Sequence, residues 1–124
     1  MGSRRQRVVV VGASSKPERY SNRALRSLVT HGHEVVPVHP AISSIEGLPV
    51  THKIEDITGP VDTVTLYVSA KRSFALAESI TRLSPNRVIF NPGAENPSLR
   101  ATLEEKGIHT EDACTLVLLN TNQF

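Results

Sequence analysis

Groups able to bind a phosphate follow the first long apolar run of the chain. Residues 8–11 are four consecutive valines, a pattern typical of a strand buried on both faces of a parallel sheet. Gly12 comes next and lets the backbone turn sharply and approach a ligand closely. Ser14, Ser15 and Lys16 then supply hydroxyl and ammonium donors for phosphate oxygens. The pattern predicts an anion site here, and the alternative is an ordinary turn between a strand and a helix.

Strands and helices alternate along the rest of the chain. Strands are predicted at residues 7–12, 34–38, 61–68, 87–90 and 108–111. Helices are predicted at residues 22–30, at 73–83 and from Pro97 onwards, with Gly107 just past the end of the last of these. Residues 113–119 are predicted to form a final helix, with a strand as the alternative. The first helix is expected to have Ser21 as its N-cap and Gly32 as its stop. The alternation predicts an α/β fold with a single Rossmann-like, doubly wound five-stranded parallel sheet in the order 3-2-1-4-5.

Ligands bind such a sheet at the carboxyl ends of its strands, where the strand order reverses, here between the first and third long strands. Several groups of residues are predicted to meet there, and the helix that follows the first strand adds partial positive charge. Beside that helix we expect Gly12, Ala13, Ser14, Ser15, Lys16, Arg19 and Asn22. Bordering a ribose or adenine we expect Val38, His39 and Pro40, and in a cationic turn Ser69, Lys71 and Arg72. Pro92 and Gly93 belong to a further turn able to expose backbone N–H groups.

A site for a dinucleotide of the NAD type is disfavoured. Such a site requires G-x-G-x-x-G and an acidic residue at the end of the second strand. Ser14 and Pro17 stand at the second and third glycine positions, and His39-Pro40 ends the second strand. A small NAD(P)-binding oxidoreductase stays an alternative, with Lys16 and Arg19 recognising a 2′-phosphate.

The composition limits the domain organisation, partners and cellular compartment that the chain is expected to have. At 124 residues the chain fits one domain, residues 1–124, of which residues 1–6 are expected to be disordered. A net charge of +2 and 4% aromatic residues argue against a nucleic-acid partner. One cysteine, no metal-ligand spacing and no apolar run of membrane-spanning length predict a cytoplasmic protein without a metal or a membrane partner. Cys114 is expected to be an inert core thiol, and His31, His33, His52 and His109 surface residues.

The chain resembles a known family at several of these positions. Gly12-Ala13-Ser14 with Lys16-Pro17, the stretch Val36-Pro37-Val38-His39-Pro40, Gly47-Leu48 and Val61-Asp62 are similar to the small stand-alone CoA-binding proteins. Their domain is similar to the CoA-binding domain of succinyl-CoA synthetase α subunits, and the resemblance runs from about Arg7 to Glu111.

The resemblance implies where CoA would lie. It places the CoA phosphates at Gly12, Ser14, Ser15 and Lys16, and the adenosine beside Val38, His39 and Pro40. Ser69 with Lys71 or Arg72 would lie over the ligand. The synthetases carry an acidic residue before the glycine of the next turn, whereas here Glu95 follows Gly93.

We therefore expect a protein that binds CoA or an acyl-CoA and has no catalytic machinery of its own. The synthetases need a phosphohistidine segment and a partner domain, for which 124 residues leave no room. Besides the oxidoreductase, the alternative is a regulatory or partner subunit with a degenerate pocket, docking through the apolar residues 116–119. The sequence leaves open whether the chain forms a homo-oligomer.

Overall fold

A parallel sheet covered by helices on both faces forms the protein. The computed structural model describes residues 4–124. The long strands are β1 (Arg7–Val11), β2 (Glu34–Val38), β5 (Thr63–Leu66), β6 (Arg87–Phe90) and β7 (His109–Asp112), and a short antiparallel pair consists of β3 (Ser44–Ile45) and β4 (Leu48–Pro49). The helices are α1 (Tyr20–Thr30), α2 (Ala70–Ser73), α3 (Ala77–Leu83), α4 (Pro97–Glu105) and α5 (Thr115–Asn120), with 3₁₀ turns at Ile54–Asp56 and Phe74–Leu76.

The strand order is that of a Rossmann-like sheet. The five long strands lie in the order β2-β1-β5-β6-β7, and all neighbours are parallel. Outside β2, Thr51 makes a single parallel bridge to Val38. If the Thr51 segment is counted as strand 3, then β5 and β6 become strands 4 and 5, and the order is the predicted 3-2-1-4-5. The strand β7 lies beside β6 at the opposite edge.

The segment at the outer position beside β2 differs from expectation, because all five predicted positions were assigned to the five long strands. The third long strand, β5, lies beside β1, and the outer position holds only Thr51. Pro40 precedes the hairpin in this connection, Pro49 is the last residue of β4, and proline has no N–H to donate to a strand ladder. The edge segment therefore stays short.

Side chains of alternate strand residues form two apolar layers, one on each face of the sheet. Val9, Val64 and Val88 pack with Ile80 of α3 and Leu99 of α4. On the opposite face, β1 and β6 contribute Val8, Val10 and Ile89, which pack with Leu25 of α1 and Leu119 of α5. The two layers fix the strands and leave their carboxyl ends free to carry loops.

Several local expectations are wrong. Ser21 lies inside α1, whose N-cap is Arg19, and the helix predicted at residues 73–83 is interrupted by a 3₁₀ turn. Phe74 begins this turn and is 56% exposed. The third long strand, Thr63–Leu66, is shorter at both ends than the predicted residues 61–68.

The amino-terminal edge of the sheet also differs from expectation. His33 is buried rather than exposed, and its Nδ1 accepts from the Gln6 N–H at 3.0 Å. Burial, reinforced by the nearby charges of His31 and Arg87, lowers the pKa of His33. Gln6, expected to be disordered, also accepts from Thr63 Oγ1 at 2.7 Å. Residues 1–3 lie outside the described residues.

The apolar tail 116–119 does not form a continuous exposed face. Leu119 is buried, Leu116 and Leu118 are half-buried, and only Val117 of this stretch is largely exposed. Over residues 4–124, no helix has the length and apolar character needed to cross a bilayer.

Candidate functional site

A cleft of about 550 Å³ opens at the carboxyl ends of the central strands. Its walls come from the segments that follow β1, β5, β6 and β7, which is where the sheet topology predicts a ligand site. Six of the residues proposed from sequence line it: Gly12, Ser14, Arg19, Ser69, Pro92 and Gly93. Tyr20, Ser21, Tyr67, Val68, Asn91, Ala94, Cys114 and Leu116 complete the lining.

Gly12 lets the backbone turn at the point where β1 meets the cleft. Its φ is +84°, and a Cβ added there would lie 2.9 Å from Val68 Cγ1 and 3.1 Å from the carbonyl carbon and oxygen of Tyr67. Both the left-handed backbone and the close approach of the next strand's loop require glycine. The expectation of a sharp turn at Gly12 is confirmed.

Backbone N–H groups beside this turn have no partner within the part of the chain that the structure describes. They include the amides of Ser14 and Ser15 in the loop and those of Tyr20 and Ser21 in the first turn of α1, which has no side-chain cap. By contrast, the Ala13 N–H donates to Val38 O at 3.2 Å, and the Lys16 N–H donates to Ser14 Oγ at 3.1 Å. The free amides and the positive end of α1 form an environment suited to an anion.

Asn22 supports the loop from behind and does not reach the cleft. Its side chain is fully buried, and its Nδ2 donates to Ser14 O at 2.8 Å and to Glu46 Oε2 at 3.2 Å. Its Oδ1 accepts from Arg26 Nε at 2.8 Å, and Arg26 Nη2 donates to Pro17 O at 2.9 Å. The Asn22 side chain therefore positions the loop, and Asn22 is not among the residues that line the cleft.

The group expected to border the adenosine lies outside the cleft lining. Val38 is buried, so its side chain belongs to the core. His39 is half-buried, and its Nδ1 accepts from the N–H groups of Ala41 and Ile42 at 3.0 and 3.1 Å. Pro40 is exposed. His39 thus orders its own turn, and its ring does not line the cleft.

Of the remaining residues predicted to contact the ligand, some line the cleft and others do not. Ser69 lines the cleft, whereas Lys71 and Arg72 are exposed on α2 and do not. Ser15 and Lys16 are exposed beside the cleft, and the Ala13 side chain is buried. Within residues 4–124, Arg19 is the one charged residue of the lining.

A buried polar cluster under the cleft was missed from sequence. Asn91 Nδ2 donates to Thr65 Oγ1 at 2.6 Å and to Leu66 O at 2.9 Å, and Asn91 Oδ1 accepts from the Thr115 N–H at 2.9 Å. The hydroxyls of Thr65 and Thr115 are 2.8 Å apart. The cluster joins β5, β6 and the start of α5, and so fixes one wall of the cleft.

Tyr67 and Cys114 were also missed as cleft residues. Cys114 is half-buried at the start of α5 and lines the cleft, so the expectation of a core thiol is wrong. Burial raises the pKa of Tyr67 to about 12, although the nearby hydroxyls of Thr115 and Thr65 oppose the shift. The phenol is therefore protonated at neutral pH. Its position at the carboxyl end of the predicted strand 61–68 is the signal that could have identified Tyr67.

Comparison with known proteins decides the family. A family model described as a CoA binding domain matches residues 6–120. The chain belongs to this CoA-binding domain family. The resemblance found in the sequence, to small CoA-binding proteins, is thereby confirmed.

Two individual proteins are similar to most of the chain. The uncharacterized protein YneT of Bacillus subtilis (strain 168) is 28% identical over 104 residues, which cover 84% of this chain and 77% of YneT. The crystal structure of an uncharacterized protein superposes with a TM-score of 0.93 and 37% identity, covering 98% of this chain and all of the other.

A larger enzyme contains the same fold. An acetyl-coenzyme A synthetase of Candidatus Korarchaeum cryptofilum, solved with phosphate and ADP, superposes with a TM-score of 0.75 at 20% identity. The superposition covers 87% of this CoA-binding domain protein and 25% of the synthetase. At that identity, the comparison shows a common fold.

Proposed function

We propose that the cleft binds CoA or an acyl-CoA and that the CoA phosphates lie against the Ser14–Ser15 loop and the start of α1. The observation that carries this proposal is the set of unpartnered amides at Ser14, Ser15, Tyr20 and Ser21 beside the cleft. Membership of the CoA-binding domain family supports the choice of CoA among phosphorylated ligands.

The proposed mechanism of binding is electrostatic. Hydrogen bonds to a charged group contribute about 1.5–3 kcal/mol each. Three or four such bonds are of the order of the roughly 8 kcal/mol that a micromolar Kd requires. Arg19 adds a cation at the same end of the cleft, and the dipole of α1 adds partial positive charge.

We further propose that the protein binds its ligand without turning it over. Cys114 is the one thiol in the cleft, and the described lining residues include no histidine or carboxylate. A nucleophile of this type is activated by an adjacent base or cation. The lining therefore supports a function in which the protein holds the ligand. We propose that it does so in the cytoplasm, the compartment expected from the sequence.

Replacing Arg19 with glutamate is expected to weaken CoA binding by about tenfold or more, since the change removes a cation and adds an anion beside the phosphates. Isothermal titration calorimetry with CoA at two salt concentrations measures the effect, which should shrink at the higher concentration. The matched control is Lys106→Glu. Lys106 is an exposed lysine at the end of α4, near the start of β7 and away from the cleft.

The same titration with NADPH tests the oxidoreductase alternative. CoA binding that is weakened by Arg19→Glu and unchanged by Lys106→Glu supports the proposal. Tight NADPH binding without CoA binding contradicts it, and so does an equal response of the two variants.

A further inference from the structure

We propose that the cleft holds acyl-CoA in one direction and selects a short uncharged acyl group over one that ends in a carboxylate. The acyl end would lie against Tyr67, Ala94, Cys114 and Leu116, which we call the inner wall. This inference rests on the proposed function, because it takes the phosphate end of the ligand to be at α1.

Charge is distributed unevenly along the cleft. Arg19 and the uncapped first turn of α1 lie at one end, after β1. The inner wall lies after β5, β6 and β7, and its residues are a phenol, a methyl group, a thiol and an isobutyl group. A ligand with an anionic end and a neutral end therefore fits in one direction.

The distance between the two ends follows from the sheet. The loops leave neighbouring strands in turn, since the Tyr67 N–H donates to Val11 O at 2.9 Å and the Ala113 N–H donates to Phe90 O at 3.1 Å. Tyr67 therefore lies one strand spacing of about 4.8 Å from β1. Thr115, between Cys114 and Leu116, bonds to Asn91 at the end of β6, two spacings or roughly 10 Å from β1. A pantetheine arm is flexible and longer than this separation, so it can place the thioester at the inner wall when the phosphates lie at β1.

The chemistry of the inner wall matches an acyl thioester. Tyr67, Leu116 and Ala94 offer apolar contact to a short acyl chain, and the Tyr67 hydroxyl lies beside those of Thr65 and Thr115. A second carboxylate placed there would lose water and meet no cation among the described residues of the inner wall. An unpaired charge in such a position is strongly disfavoured.

Titration calorimetry with CoA, acetyl-CoA and malonyl-CoA tests the inference. The wild-type protein should bind acetyl-CoA about tenfold or more tightly than malonyl-CoA, since the two differ in the added carboxylate. Leu116→Lys should bring an ammonium to the inner wall and reduce that ratio about tenfold or reverse it. The matched control is Val117→Lys, because Val117 is 56% exposed on the same helix and does not line the cleft.

The outcomes separate the inference from the proposed function. Preference for acetyl-CoA that is lost in Leu116→Lys and kept in Val117→Lys supports the inference. Equal wild-type affinity for acetyl-CoA and malonyl-CoA overturns the inference alone, and it does so even where Leu116→Lys fails to fold. Failure of the wild-type protein to bind all three ligands overturns the proposed function as well.

Discussion

Gly12→Ala should destabilise the protein by about 2–6 kcal/mol and remove CoA binding. A left-handed conformation strains a residue with a side chain by about 1–3 kcal/mol, and overpacking adds about 1–3 kcal/mol. The new Cβ would lie 2.9 Å from Val68 Cγ1, and relief of that contact must move either the loop after β1 or the loop after β5. Both loops line the cleft. Urea unfolding measures the stability loss, and calorimetry measures the binding.

Gly32→Ala is the matched control for this prediction. Gly32 has a similar φ of +87°, but a Cβ there would meet nothing within 4 Å. We expect the backbone strain alone, about 1–2 kcal/mol, with CoA binding retained. Equal destabilisation by the two substitutions, or normal CoA affinity in Gly12→Ala, contradicts the role assigned to the close approach at Gly12.

Asn91→Ala should cost about 3–5 kcal/mol of unfolding free energy. The substitution removes both bonds that the Asn91 amide donates and leaves the buried Thr115 N–H without its acceptor. Each buried polar group left unpaired costs about 1–3 kcal/mol. Because Thr115 begins α5, the substitution also loosens Cys114 and Leu116 and should weaken the preference for acetyl-CoA over malonyl-CoA.

Asn86→Ala provides the comparison for Asn91. Asn86 is exposed, and its amide makes one long bond of 3.4 Å to Asp62 Oδ1. A surface change of this kind should alter stability by about 0.5 kcal/mol or less. The difference between the variants is read from their urea midpoints, and a loss below about 1 kcal/mol in Asn91→Ala contradicts the role of the buried cluster.

Sequence patterns identified the elements that carry a strong local signal. The four valines of residues 8–11 predicted the buried first strand, because an uninterrupted apolar run is typical of strands covered on both faces. Pro97 and Gly107 likewise marked the two ends of α4, with Asn96 as its N-cap. The cleft opens at the sheet edge that this topology predicts.

The features of the site that could not be predicted from sequence depend on contacts between segments that are distant along the chain. Asn22 lies four residues before Arg26 on one helix face, but its bond to Glu46 depends on where the β3–β4 hairpin folds back. Cys114 reaches the cleft because α5 starts at the buried Asn91, a pairing that joins residues 24 positions apart. Local propensity contains no information on such pairings.

The direct test of the account is a titration of ¹⁵N-labelled protein with CoA, followed by the backbone amide resonances. The account predicts that the largest shifts occur at the amides of Ser14, Ser15, Tyr20 and Ser21, which are the unpartnered donors beside the cleft. Saturable CoA binding that leaves these four amides unshifted, or no binding at all, would contradict it.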